Sequence, residues 1–223
     1  MGKIEVKSEF AYVLAIIILS FSVNVMEIAD FGMSMIVLPA YIISQKISTI
    51  SFGQAEYIIQ GVLFIIFCIV MKEFKKSYLM SFVTGILYGI ILDLWKNVLF
   101  RNIVITNIII RILFYMIGMF LSAFAIALFY QTYLYPQVYD FFVKGIAEKY
   151  HLQIKRVKTI FDLSFLLLAF MLSVLLFQQL IGIGIGTVIM ALFNGTMIDI
   201  FKNKLNHRID FKPYFYQLSK KLI

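Results

Sequence analysis

The chain has 223 residues, 62% of them hydrophobic and 14% charged, with a formal net charge of +8 and a mean hydropathy of +0.93. A soluble domain of this length carries about 25% charged residues, so the composition excludes an ordinary soluble domain, and apolar blocks of about 20 residues match a bilayer core of roughly 30 Å. The single cysteine, Cys68, lies inside such a block; it excludes an internal disulfide or a cysteine metal cluster and reads as a small buried hydrophobe.

Glu5 and Glu9 neutralise the basic N-terminus and no A-x-A site follows, so the first apolar stretch reads as an uncleaved span over 10–29, not a signal peptide. Residues 33–46 are apolar, interrupted by Pro39 and too short to cross, which predicts a re-entrant or interfacial helix. A turn at 48–53 leads to a second span at 54–71, a charged loop at 72–76 and a third span at 78–95. A fourth span covers 104–130, Tyr135-Pro136 breaks the chain, and an amphipathic helix follows at 137–149. Spans at 157–177 and 181–201 precede a basic tail. The expected fold is an all-α membrane protein with six transmembrane helices.

Lysine and arginine orient these spans. With the N-terminus inside, the inner segments hold 16 of the 20 basic residues and the outer ones only Lys46, Lys96 and Arg101, with Arg111 inside the fourth span. That asymmetry predicts both termini in the cytoplasm. The positive charge is therefore an orientation signal, and no nucleic-acid partner is expected. The tail, 204–223, interleaves basic and aromatic residues and is expected to lie on the anionic inner leaflet.

An internal match gives the most specific pattern. Gly89-Ile-Ile-Leu-Asp-Leu-Trp-Lys-Asn97 and Gly195-Thr-Met-Ile-Asp-Ile-Phe-Lys-Asn203 share Gly, Asp, Lys and Asn at an offset of 106, which also sets Glu56 against Asp162. Lysine and asparagine are common at helix ends, but that does not account for the preceding Gly-x-x-x-Asp. The match predicts two three-span repeats, 1–98 and 104–203, each with its short helix after the first span. An odd number of spans per repeat inverts one relative to the other, as in many transporters, whose ligands lie near the repeat interface.

Ionisable residues inside a membrane are the default functional candidates. They are Glu56, Asp93 and Arg111, with Glu27 and Asp30 nearby, all expected in the outer half, and Asp162 and Asp199 in the inner half. Gln60 shares a helix face with Glu56. The functional reading is a polar outer cavity in which Arg111 neutralises one carboxylate and the rest bind a cation, a proton or a polar solute. The alternative is hydration near the interface for Glu27, Asp30, Glu56 and Asp93, with Asp162 paired to Lys158 and Asp199 to Lys202.

Gly182, Gly184 and Gly186 in Ile181-Gly-Ile-Gly-Ile-Gly lack the Lys-Ser/Thr of a phosphate loop and read as close-packing residues, as do Gly85 and Gly89. His151 and His207 make no metal spacing, and no nucleophile motif or H-E-x-x-H occurs, so neither enzyme activity, metal nor cofactor is expected.

Ala29-Asp-Phe-Gly-Met-Ser34, the stretch Gly145 to Asp162, and Gly184 to Asp199 together resemble the YczE/YyaS/YitT group of bacterial membrane proteins, with Met35 where the group commonly has a proline. The resemblance implies a bacterial cytoplasmic-membrane protein of a largely uncharacterised group. The leading expectation is a small-solute transporter or permease with its ligand between the repeats, partnered by the lipid bilayer and an unknown solute, and open to forming a homo-oligomer. One alternative is the substrate-binding subunit of an energy-coupling-factor vitamin importer, working with an ATPase module, whose docking motif Ala11-x-x-x-Ala15 faintly resembles. The other is a non-transporting regulator or scaffold.

Overall fold

Helices α1 (Ser8–Ala29) and α5 (Ile108–Phe129) form the central and most extensive helix pair in the computed structural model, which describes residues 3–222, without the side chains of Ile154, Lys155, Leu218, Lys221 and Leu222. Of the 16 inner basic residues, Lys155 and Lys221 therefore lie outside the described side chains. The paired faces carry small residues: Ala11, Ala15 and Ser22 on α1, Gly118, Ser122, Ala123 and Ala127 on α5. A Cβ at Gly118 would stand 2.5 Å from Met26 Cγ and 3.0 Å from the Ser22 carbonyl oxygen. Helices in lipid gain little from burying apolar surface against one another, so backbone approach through small residues supplies the packing.

Around this pair stand α3 (Phe52–Met71), α4 (Leu79–Trp95), α7 (Ile154–Phe177) and α8 (Ile185–Arg208). Helix α4 packs on α1 and α8 packs on α5. Among the described residues, six helices are long and apolar enough to cross a bilayer, the architecture of a multi-pass membrane protein. Helix α4 runs into a π-helical turn at Lys96–Phe100, so the third span extends beyond the Trp95 expected as its end.

Two short helices, α2 (Leu38–Lys46) and α6 (Val138–Lys149), follow α1 and α5. Helix α2 begins at Leu38, not at 33, because Pro39 lacks the N–H that a helix interior requires and fits only the first turn. Each short helix packs against both α3 and α7. At one end of α6 the Val138 N–H donates to Gln60 Oε1 (3.3 Å); at the other, Lys149 Nζ donates to the carbonyls of Val70 (2.7 Å) and Met71 (2.9 Å). Helix α6 thus runs beside the second half of α3. Since Gln60 lies roughly 12 Å along α3 at 1.5 Å per residue, α6 starts beside the middle of α3.

Ser51 caps α3, accepting from Gln54 N–H while the Gln54 side chain accepts from Ser51 N–H; Asn107 caps α5 by accepting from Ile109 and Ile110. The sixth span starts at Ile185, not 181, because Gly182 (φ +70°) and Gly184 form an irregular strap against residues 31–33. Met33 N–H donates to the Gly182 carbonyl (3.0 Å) and Gly186 N–H to the Phe31 carbonyl (2.8 Å). Non-helical backbone at this depth is tolerable because protein partners satisfy it.

Beyond the helices lies one short parallel strand pair, β1 (Ile4–Lys7) with β2 (Ile209–Lys212), in the register Ile4 to Ile209. It binds the tail to the N-terminal segment; a final helix, α9 (Tyr216–Leu222), follows. Glu9 reinforces the junction, accepting from Tyr133 Oη (2.5 Å), Tyr214 N–H (2.9 Å) and Phe215 N–H (2.9 Å). Both ends of the chain therefore meet at one end of the bundle.

Candidate functional site

Glu56 and Gln60, one helical turn apart on α3, face the start of α6 and are 0% exposed. Tyr139 Oη donates to Glu56 Oε2 (3.0 Å), and Gln60 Nε2 donates to the same oxygen (3.3 Å) and to Gln137 Oε1 (3.4 Å). Tyr139 also meets the Phe165 ring of α7 edge-on at 5.6 Å. This polar seam joins the two halves of the chain.

Two observations define its chemistry. Among the described residues, Glu56 Oε1 and Gln137 Nε2 are buried without a hydrogen-bond partner. No ion pair reaches Glu56 among the described residues. The N-terminus of α6, with its positive partial charge, also points into the seam, where the Val138 N–H donates to Gln60 Oε1.

The seam is shaped by glycine. A Cβ at Gly85 of α4 would fall 2.3 Å from Gln60 Oε1; one at Gly89 would fall 2.5 Å from the Gly53 carbonyl oxygen. Only glycine lets α4 approach α3 this closely. The packing role expected for Gly85 and Gly89 is met here, and Gly182, Gly184 and Gly186 likewise sit against Tyr41, Phe31 and Tyr115.

The remaining candidates are not gathered with Glu56 and Gln60. Asp93 accepts from Gly53 N–H (2.8 Å) and from the Ser51 hydroxyl, closing the first turn of α3. Arg111 donates to the carbonyls of Ala29 (2.8 Å) and Asp30 (2.5 Å) and pairs with the Asp30 carboxylate (2.9 Å), which ties α5 to the end of α1. The carboxylate it neutralises is thus one beside the interface. Glu27 pairs with Lys96 at 2.6 Å. At the opposite end, near the chain termini, Asp162 pairs with Lys158 (2.9 Å), the alternative weighed from the sequence, and Asp140 stands 3.9 Å from the same ammonium. Asp199 is exposed on α8; Lys202, its expected partner, instead lies over the Tyr130 ring at 5.8 Å.

Gln137 and Tyr139 complete the seam and are missing from the sequence-derived set. Nothing local marks them: Gln137 follows a helix-breaking proline, and Tyr139 is one of 13 tyrosines. Among the described residues no cluster of three His, Cys, Asp or Glu side chains could hold a metal.

The profile of the DUF6198 family, a family of unknown function, matches residues 6–203. An uncharacterised protein of Haemophilus influenzae is 28% identical over 204 residues, spanning 88% of this chain and 87% of its own. No solved structure matches.

Proposed function

The chain belongs to the DUF6198 family of unknown function, and from that premise we propose that it is a small-solute transporter of the bacterial cytoplasmic membrane, working through the seam around Glu56. The observation that carries this reading is Glu56 itself: fully buried inside a span, held only by neutral groups, with one oxygen unpartnered. A buried carboxylate without a cationic partner is neutralised by a proton or a bound cation. Such residues mark substrate and ion pathways in membranes. A re-entrant helix whose N-terminus faces the site is a recurring transporter device.

The reading includes two inverted three-span repeats, with α1–α4 against α5–α8. Their packing supports it: α1 pairs with α5, α4 sits on α1 as α8 sits on α5, and each short helix lies on the second span of the other repeat. The lysine and arginine distribution supports cytoplasmic termini, and the resemblance to the YczE/YyaS/YitT group points the same way. The importer-subunit reading gains nothing, because Ala11 and Ala15 are buried inside the bundle and unavailable for docking.

The test is a thermal-shift screen of the purified protein against small metabolites, followed by uptake of each hit into proteoliposomes. Glu56→Gln keeps the shape and hydrogen-bonding size of the side chain and is expected to abolish uptake while leaving the protein folded. Transport by Glu56→Gln at the parent rate would defeat the proposal.

A further inference from the structure

We propose that Lys149 and Lys46 are paired latches, one at each membrane face, that hold the two short helices closed over the Glu56 seam; the purpose of such latches rests on the transport reading above, their geometry does not. Lys149 ends α6, and its ammonium donates to the Val70 and Met71 carbonyls at the end of α3. Lys46 ends α2, and its ammonium donates to the Leu176 carbonyl (2.9 Å) in the last turn of α7, 5.3 Å from the Phe177 ring. The arrangement is reciprocal. Each short helix reaches across to the second span of the other half, and the two contacts lie at opposite ends of the bundle, since α3 ends on the side of the chain termini and α7 on the other.

The chemistry suits a contact that forms and breaks. The last four carbonyls of a helix lack intrahelical partners and carry its negative partial charge. An ammonium there makes charge-assisted bonds, yet lysine is a flexible point charge without the bidentate fork that fixes arginine. Gly145 brings the α6 backbone against the Phe67 ring, where a Cβ would come within 2.6 Å, and Phe67 also meets the Phe141 (4.8 Å) and Phe142 (5.8 Å) rings, so lifting α6 has to part this aromatic contact as well as the lysine bond.

The consequence concerns access. With both latches made, Glu56 and Gln60 are sealed from both faces. Lifting α6 off α3 breaks the Tyr139–Glu56 and Gln60–Gln137 bonds and bares α3 from Gln60 to Met71 toward the side of the termini. Lifting α2 off α7 would loosen the opposite side instead. Opening one face at a time is what alternating access requires, and paired elements with two discrete positions are how proteins achieve it.

The experiment uses the full chain in sealed membrane vesicles of each orientation, with Cys68→Ala as background and Gln60→Cys as reporter of a membrane-impermeant maleimide. Lys149→Met keeps the apolar stem and removes the charge with its two charge-assisted hydrogen bonds; it is expected to speed labelling by roughly tenfold for each bond lost, from the side of the termini only. Lys46→Met is expected to do so from the opposite side only, and arginine at either position should restore slow labelling. If Gln60→Cys does not fold, Leu63→Cys on α3 reads the first latch and Ile42→Cys on α2 the second. Labelling that stays slow in both variants, rises equally from both sides, or shows reversed sides would overturn the proposal. Uptake is not the readout, so side-specific labelling in a protein that moves no solute would retain the latches and remove the transport reading.

Discussion

Gly89 and Gly195 hold the same place in the internal sequence match, yet a methyl group should act on them in opposite directions. In Gly89→Ala the new Cβ would stand 2.5 Å from the Gly53 carbonyl oxygen and 3.1 Å from Tyr57 Cδ1. Backbone cannot rotate away, so reaching an ordinary contact of 3.4 Å pushes α4 back by about 1 Å. The same retreat stretches the 2.8 Å bond from Gly53 N–H to Asp93 beyond hydrogen-bonding range. Overpacking costs about 1–3 kcal/mol and a lost hydrogen bond to a charged group about 1.5–3 kcal/mol. Together they make roughly 3–5 kcal/mol, a fall of about 10 °C in unfolding midpoint for a chain of this size. Around Gly195 nothing lies within 4 Å, so Gly195→Ala gains only the helix preference of alanine, about 0.5–1 kcal/mol, and the midpoint should rise by roughly 2 °C. The single tryptophan, Trp95 on α4, whose Nε1 donates to the Ile17 carbonyl at 3.3 Å, reports the melt by fluorescence in detergent. Equal shifts in the two variants, or a Gly89→Ala midpoint indistinguishable from the parent, would refute the close-approach argument.

Two further predictions concern charge. Arg111→Ala should lower the melting midpoint with a cost of roughly 2–3 kcal/mol from the lost charged bonds, and Arg111→Lys should not restore it, because Nε and Nη2 reach two separate carbonyls as a fork; full rescue by lysine would show that only the positive charge matters. The strand pair should loosen at both pH extremes. The hydrogen bond from Lys212 and its charge hold Glu5 below its ordinary 4.5, so Glu5 contributes above that value and its contribution is lost as pH falls through the lowered one. The bond to Glu5 raises Lys212 above its ordinary 10.5, so its contribution is present below that value and lost as pH rises through the raised one. Spin labels at Ile4 and Ile209 should therefore stay close at neutral pH and separate in acid and in alkali, with Lys212→Met removing both transitions. An unchanged distance distribution across that range would show that the backbone pairing alone holds the tail.

Much of the fold is legible in the sequence because span length and apolar content are local properties. The six spans come from runs of hydrophobic residues, and Pro39 and Pro136 mark where the short helices begin. Glu56 and Gln60 were legible as a pair because one helical turn separates them. Gln137 and Tyr139 were not, because their value to the site depends on α6 folding back along α3, some 80 positions away in the chain. Asp93 and Arg111 stand out in the sequence because charge inside an apolar block is costly; only the fold shows that each meets the bare backbone groups of a helix end.

The internal match shows where sequence alone stops. It aligns Gly89 and Asp93 with Gly195 and Asp199, and the composition of each segment determined that both form helices. Only the tertiary structure decided that α4 seats its glycine and aspartate on the first turn of α3 while α8 leaves its own open. The physical reason is that a motif specifies what a helix face can accept, and the packing of the other helices decides whether a partner is there to fill it.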